Sequence, residues 1–316
     1  VMDVHSGEIL AMVSAPTYDP NMFTDRLLTR DWRRLNTHPR NPLLNRVTAG
    51  MYAPGSTFKM VVALAALEAG IINENTRFFC NGSMELGNAT FHCWFEDGHG
   101  SMNVVRALER SCDVYFYEVA LKTGIQRIKA MAGKLGLGDV TGIDIPGEKS
   151  GIIPNHEWKV ATHGVVWTPG ETVVAGIGQG YVLTTPLQLA VMTARLANGS
   201  KAVIPSLRAA DGDAGFADLG ISESALRIVR EGMFEVTHGS LGTARKHNLP
   251  SRQGGMAGKT GTVQVRRITK EQREAGITKN IERPWKERDH ALFVGYAPVQ
   301  NPVSYTHLTL PTIVPV

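Results

Sequence analysis

Along the chain the apolar positions change period twice. The opening segment VMDVHSGEILAMVSAP alternates apolar and polar residues around the turn HSGE, which predicts two short strands over residues 1–14. Residues 15–50 are rich in Pro, Asn and Arg and read as an extended loop region. From Ser56 to Ala69 an apolar run, stopped by Gly70, predicts a buried helix. Residues 73–102 carry glycines and aromatics without a period and read as irregular. Helices are predicted at NVVRALER, VYFYEVALKTG and IQRIKAMAGKLG, the last ending at glycine. Residues 139–186 read as a long Gly/Pro-rich connection. Two more helices are predicted at PLQLAVMTARLANG, with proline in its first turn and glycine after its last, and at SESALRIVREGMFEVTHG, with a serine cap. The second change of period comes at AGKTGTVQVRRI and HALFVGYAPV, which read as paired strands joined by the charged loop 269–288. Strands at both ends, helices between, and no internal repeat or linker predict one α+β domain.

Length and composition narrow the function class. A chain of 316 residues, 43% of them hydrophobic, can bury a sizeable core. The formal net charge of +4 is spread along the sequence. The basic stretches TRDWRRL and RRITKEQR contain acids and have little aromatic interleaving, which argues against nucleic-acid binding. No run reaches the roughly 18–20 apolar residues of a membrane span. Val1 stands where an initiator methionine would, already in strand-like alternation, so the chain is expected to start inside a domain. At the far end, VSYTHLTLPTIVPV has added prolines and no amphipathic period, and residues 303–316 are set aside as a non-native tail.

Three short stretches carry candidate chemistry. In YAPGSTFK, Ser56 and Lys59 are three residues apart at the start of an apolar helix and share one face. A serine hydroxyl is a poor nucleophile until a base takes its proton, and a lysine in an apolar setting can be that base. The N–H groups of a helix start favour the negative charge that develops there. The plainer reading is a capping serine and a snorkelling lysine. In AGKTGT, Lys259 and Thr260 beside a glycine suggest a phosphate loop, but that pattern needs its first glycine at Gln253, and a strand follows instead of a helix. A strand edge with Lys259, Thr260, Gly261 and Thr262 suits a carboxylate-bearing peptide. In ERSCDVYFYEV, Ser111 and Asp113 fall between two helices, where they either project into a cleft or cap the second helix.

Ser-x-x-Lys, Ser-x-Asn/Asp and Lys-Thr-Gly in this order form the signature of penicillin-recognising serine enzymes. The chain resembles the transpeptidase domain of class B penicillin-binding proteins, in particular their elongation-specific branch. The likeness covers about residues 1–302 and includes EILAMVSAPTYDPN, TGIDIPGEKSG and GIGQGYVLTTPLQLA. It implies the penicillin-binding/serine β-lactamase-like α+β fold, an antiparallel sheet flanked by helices. It also implies that Ser56 is acylated, Lys59 is the general base, and Ser111 bridges protons between Lys59, Lys259 and the leaving amine. Lys259, Thr260, Gly261 and Thr262 would hold the terminal carboxylate of a D-Ala-D-Ala stem peptide, and the Ser56 and Thr262 amides would form the oxyanion hole. Asp113 departs from the commoner asparagine, and a carboxylate beside Lys59 favours the charged lysine. A competing Ser-x-Asn at Ser101–Asn103 is set aside, Asn103 being read as the cap of VVRALER.

The resemblance further implies peptidoglycan cross-linking, inhibition by β-lactams, a glycosyltransferase partner in cell elongation, and a place on the periplasmic face of the inner membrane through an N-terminal anchor. The final strand and helix that the family places after FVGYAP are expected to be missing. A DD-carboxypeptidase, a serine β-lactamase and a β-lactam sensor are the alternatives. No E-x-x-x-N lies between Asp113 and Lys259, which counts against a class A β-lactamase. Three cysteines fit a metal site or one disulfide with a free thiol. Spacing leaves both open, Cys80–Cys93 being the disulfide and His92 a rival ligand. Members of this branch hold zinc beside the Ser-x-Asn/Asp motif, and Cys80, Cys93, His99 and Cys112 look like those positions, a closed tetrahedral set.

Overall fold

The alternating segments at the two ends of the chain meet in one antiparallel sheet. The structure, a computed structural model, describes residues 1–24, 27–209, 215–249, 254–263, 280–284 and 287–311. Within it β1 (Met2–Asp3), β6 (Ala257–Val263), β7 (His290–Ala297) and β8 (Ser304–Pro311) pair in the order β1-β8-β7-β6. Lys259 lies opposite Val294 and Thr262 opposite Ala291. Part of the segment set aside as a non-native tail, residues 303–316, nevertheless pairs in this sheet. Ser304–Pro311 fills the sheet between β7 and β1, with Ala297 opposite Ser304 and Met2 opposite Tyr305. The segment SYTHLTLP alternates, and two otherwise unpaired strand edges leave a slot for it. Residues 312–316 lie outside the described residues, as does most of the charged loop 269–288.

The helices stack on this sheet and on one another. α3 (Lys59–Glu68) is buried along Lys59–Ala66, as an all-round apolar helix must be. Around it lie α4 (Val104–Glu109), α5 (Asp113–Thr123), α6 (Ile125–Lys134) and α10 (Glu223–His238), while α9 (Pro186–Ala197) packs on β7 and β8 of the sheet. Their predicted signals hold, with Ser222 capping α10, Asn103 capping α4 and Pro186 opening α9, to which Thr185 and Gln188 add a capping box.

Four helices form inside stretches read as loop. α1 (Thr29–Thr37) and α2 (Arg46–Ala49) lie in the Pro/Asn/Arg-rich region, and α1 buries only Leu35, so its apolar stripe is too thin to show. α7 (His156–His163) and α8 (Pro169–Gly176) lie in the Gly/Pro-rich connection. Their caps were visible, Asn155 for α7 and the Thr168–Glu171 capping box for α8. Lys159 of α7 joins Glu171 of α8 at 2.7 Å and the Tyr181 hydroxyl at 2.6 Å, pinning these elements together. The irregular stretch 73–102 contains β2 (Phe78–Cys80) paired with β5 (Gly100–Met102), and β3 (Ser83–Leu86) paired with β4 (Ala89–His92). Gly87 and Asn88 form the two-residue hairpin turn of β3–β4, a signal present in ELGNATF.

Candidate active site

Ser56 sits in a single 3-10 turn, Gly55–Phe58, that runs straight into α3. Two glycines let this turn approach its neighbours. Gly55 has φ +54°, and a Cβ there would lie 2.9 Å from the Thr262 carbonyl oxygen of β6. Gly178 has φ +68°, and a Cβ there would lie 2.3 Å from the Gly55 carbonyl oxygen. The Gly55 amide donates to the Gly178 carbonyl at 2.9 Å. The nucleophile candidate is thus wedged between the loop after α8 and strand β6, an edge of the described sheet. Ser56 is half-buried, and its hydroxyl makes no hydrogen bond among the described residues, so it serves as no cap.

One helical turn on, the Lys59 side chain is fully buried. Its Nζ donates to Asp113 Oδ1 at 2.7 Å, to the Ser111 carbonyl at 2.8 Å and to Ser111 Oγ at 3.2 Å. These three acceptors match the three donors of an ammonium. The Phe116 ring lies 5.6 Å away on the cationic group. Lys259, on β6, is equally buried and donates to Ser111 Oγ at 3.0 Å and to the Thr260 carbonyl at 3.0 Å. Burial, and then the nearby charge of Lys59, push the Lys259 amine well below the ordinary lysine range, with Asp113 pulling the other way. Ser111 Oγ therefore lies within hydrogen-bond reach of two buried amines, and burial loosens the hold of Lys259 on its proton.

Ser111 reaches that position through strain. It follows α4 with φ +54°, a left-handed conformation that costs a non-glycine residue about 1–3 kcal/mol. Asp113 opens α5, and its two oxygens take different partners, Lys59 on one side and the Trp94 amide (2.9 Å) on the other. The rival motif is elsewhere: Ser101 is exposed on β5 and Asn103 caps α4. On β6, Thr262 is exposed while the Thr260 hydroxyl shares a 2.7 Å hydrogen bond with that of Thr243. Thr243 was missed from sequence. It lies in the loop after α10, and only the tertiary fold brings it to Thr260.

Beside Ser111, the structure gathers Cys80 at the end of β2, Cys93 after β4, His99 before β5 and Cys112 at the start of α5. All four are buried, and their ligand atoms lie within 4.8 Å of one another. The three thiols are free, so Cys80 and Cys93 form no disulfide, and His92 is exposed on β4 apart from the cluster. His99 Nδ1 is 3.6 Å from Cys80 Sγ and 3.4 Å from Cys93 Sγ. Zinc–sulfur and zinc–nitrogen bonds at a tetrahedral angle put sulfur and nitrogen about 3.5 Å apart, so the donor set fits that ion. His99 Nε2 is buried without a hydrogen-bond partner among the described residues. The neighbouring Cys112 side chain, His99 and two backbone amides pull the Cys93 thiol well down against the effect of burial, while Cys93 and burial together push the Cys112 thiol up. The Asp113 amide donates to Cys93 Sγ at 3.4 Å, which ties the cluster to the lysine pair.

Comparisons with known proteins bear on this arrangement. The family model described as penicillin binding protein transpeptidase domain matches residues 1–312. The peptidoglycan D,D-transpeptidase MrdA of Escherichia coli K12 is 38% identical over 317 residues, covering 96% of this chain and 49% of the relative. The chain thus spans about half the length of the curated relatives it matches. Among solved structures, the PBP2–MreC complex of Helicobacter pylori aligns with a TM-score of 0.87 at 34% identity, over 98% of this chain and 55% of that one. PBP2 of Pseudomonas aeruginosa in complex with WCK 5153 aligns at 0.85 and 38% identity, over 98% and 68%.

Proposed function

The chain belongs to the penicillin-binding protein transpeptidase domain family, and from that premise we propose that it is the catalytic domain of a peptidoglycan D,D-transpeptidase. The observation that carries the reading is the placement of one hydroxyl, Ser111 Oγ, within 3.2 Å of Lys59 and 3.0 Å of Lys259 beside the turn that holds Ser56.

Lys259, Thr260, Gly261 and Thr262 bind the terminal carboxylate of a D-Ala-D-Ala stem peptide along β6. That carboxylate favours the charged form of Lys259. A proton then passes from the Lys59 ammonium to Ser111 as the Ser111 proton passes to Lys259, which leaves Lys59 a free amine. Ser56 Oγ attacks the carbonyl carbon of the penultimate D-alanine and gives its proton to Lys59. The amides of Ser56 and Thr262 stabilise the oxyanion. The C–N bond breaks, and terminal D-alanine leaves with a proton relayed through Ser111. An amine from a second stem peptide attacks the ester carbon, forms the cross-link and returns the proton to Ser56. A β-lactam acylates Ser56 by opening its ring at the same carbon.

Cys80, Cys93, His99 and Cys112 would hold a structural zinc, which supplies cross-linking of the 80–112 segment to the start of α5. That function rests on the donor set and on the Cys93–Asp113 contact. The PBP2 of Helicobacter pylori that this chain resembles is complexed with MreC. We extend that class of partner, together with a glycosyltransferase of the elongation machinery, to the parent protein. No helix among the described residues is long and apolar enough to cross a membrane. The periplasmic face of the inner membrane is the setting the proposed substrate requires.

Intact-mass measurement with benzylpenicillin tests the reading. One adduct that persists for hours and is absent from Ser56→Ala is expected. No adduct on folded protein, or an adduct that survives Ser56→Ala, would overturn it. Drug consumed without a lasting adduct would move the hydrolase reading ahead.

A further inference from the structure

Trp94 leaves 58% of its surface in solvent, so packing alone does not explain its position. It stands between β4 and β5, next to Cys93, and its ring meets Phe95 and His99 at centroid distances of 5.7 and 5.4 Å. Both of its N–H groups are spent on one target. The backbone amide donates to Asp113 Oδ2 at 2.9 Å. The indole Nε1–H is shared between the carbonyls of Arg110 and Ser111, each at 3.1 Å.

Those carbonyls follow the end of α4, where the backbone acceptors have no helical partner. The Ser111 carbonyl also receives Lys59 Nζ at 2.8 Å, and its residue holds the left-handed φ of +54°. Without the indole donor the Arg110 carbonyl loses this bond and the Ser111 carbonyl keeps only Lys59 Nζ, so less opposes relaxation of the strained residue and a shift of its hydroxyl. One residue thus grips the Ser-x-Asp motif at both ends, by main chain at Asp113 and by side chain at Ser111.

We propose that Trp94 is a positioning residue for acylation: its indole N–H locks the strained Ser111 peptide so that Ser111 Oγ bridges Lys59 and Lys259. This rests on the serine acyl-enzyme reading above. It assigns to Trp94 a role in the proton relay and not in binding the ligand.

Two variants separate the indole N–H from the ring. Trp94→Phe keeps the backbone amide and an aromatic ring but removes the donor. Replacement of Trp94 by 3-benzothienylalanine keeps the bicyclic shape and exchanges only the N–H for sulfur, so it reports even if Trp94→Phe fails to fold. Stopped-flow acylation by a fluorescent penicillin resolves the non-covalent dissociation constant from the acylation rate constant. The rate constant should fall about tenfold in both variants, the scale of one lost hydrogen bond in a transition-state relay, with the dissociation constant within about twofold of the parent. The count of three thiols and the metal content should not change. An unchanged rate constant in the benzothienyl variant, or a loss confined to the dissociation constant, would overturn the proposal. Failure of the parent protein to acylate at all would instead overturn the reading on which it rests.

Discussion

Removing the carboxylate of Asp113 isolates the charge at the centre of the site. Lys59 is wholly buried and Asp113 nearly so, with 0% and 12% of their side chains exposed, and their charged atoms are 2.7 Å apart. At an effective dielectric constant near 20, two unit charges at that distance attract by about 6 kcal/mol, most of it offsetting the loss of hydration. In Asp113→Ala the ammonium stays in its apolar cage, against Phe116, with only the two oxygens of Ser111 as acceptors. Breaking a buried pair from one side costs about 3–5 kcal/mol, a large share of the roughly 5–15 kcal/mol that holds a domain together. Lys59→Met in the same background removes the stranded charge and keeps the volume of the stem, so the double variant should recover at least half of the loss. Urea unfolding of the four proteins at pH 7 closes the cycle. A loss below about 1 kcal/mol in Asp113→Ala, or a double variant no more stable than Asp113→Ala, would refute the buried ion pair.

Lys259 makes the opposite trade of stability for function. Its amine is depressed in the folded state by burial and by Lys59, so the unfolded chain binds the proton more tightly. Stability is therefore reduced at neutral pH and regained as pH rises toward the ordinary lysine value of 10.5. Lys259→Met should be more stable than the parent by about 1 kcal/mol or more at pH 7, with the advantage shrinking in urea titrations at pH 8 and 9, and should lose acylation. A pH-independent difference would show that the depression is absent. Gly178→Ala puts a Cβ 2.3 Å from the Gly55 carbonyl oxygen at φ +68°. It should cost about 2 kcal/mol or more and slow penicillin labelling, since the turn carrying Ser56 has to move; labelling at the parent rate would refute the wedge. Elemental analysis should find one zinc per chain, with three thiols that react only after chelation. Three readily titrated thiols and no zinc would dismiss the metal.

The candidate site residues were legible because they sit in local patterns. Ser56 and Lys59 share a helix face by spacing alone, and Lys259–Thr262 lie on one strand whatever the fold does. The buried helices α3, α5, α9 and α10 announced themselves through apolar runs and caps, which are short-range physics. α7, α8 and the β3–β4 hairpin were also written locally, in Asn155, in Thr168 with Glu171 and in Gly87–Asn88, but their weak apolar faces hid them. β8 is different: its threonine-rich alternation becomes a strand because β1 and β7, some 300 residues apart in the chain, leave a slot between them.

By itself the sequence determined which groups are available: a hydroxyl and an amine on one turn, a Lys-Thr-Gly strand, a Ser-x-Asp junction, three thiols and a histidine, and an α+β order of elements. Tertiary structure alone decided what those groups do to one another. Hydrogen bonds and charge interactions act over about 3 Å, and residues 52 and 148 positions apart reach that range only after the core has packed. Thus the depressed amine of Lys259 beside the buried Lys59, the left-handed Ser111 between them, the grip of Trp94, and the closure of Cys80, Cys93, His99 and Cys112 into one cluster follow from burial and proximity, which no local pattern encodes.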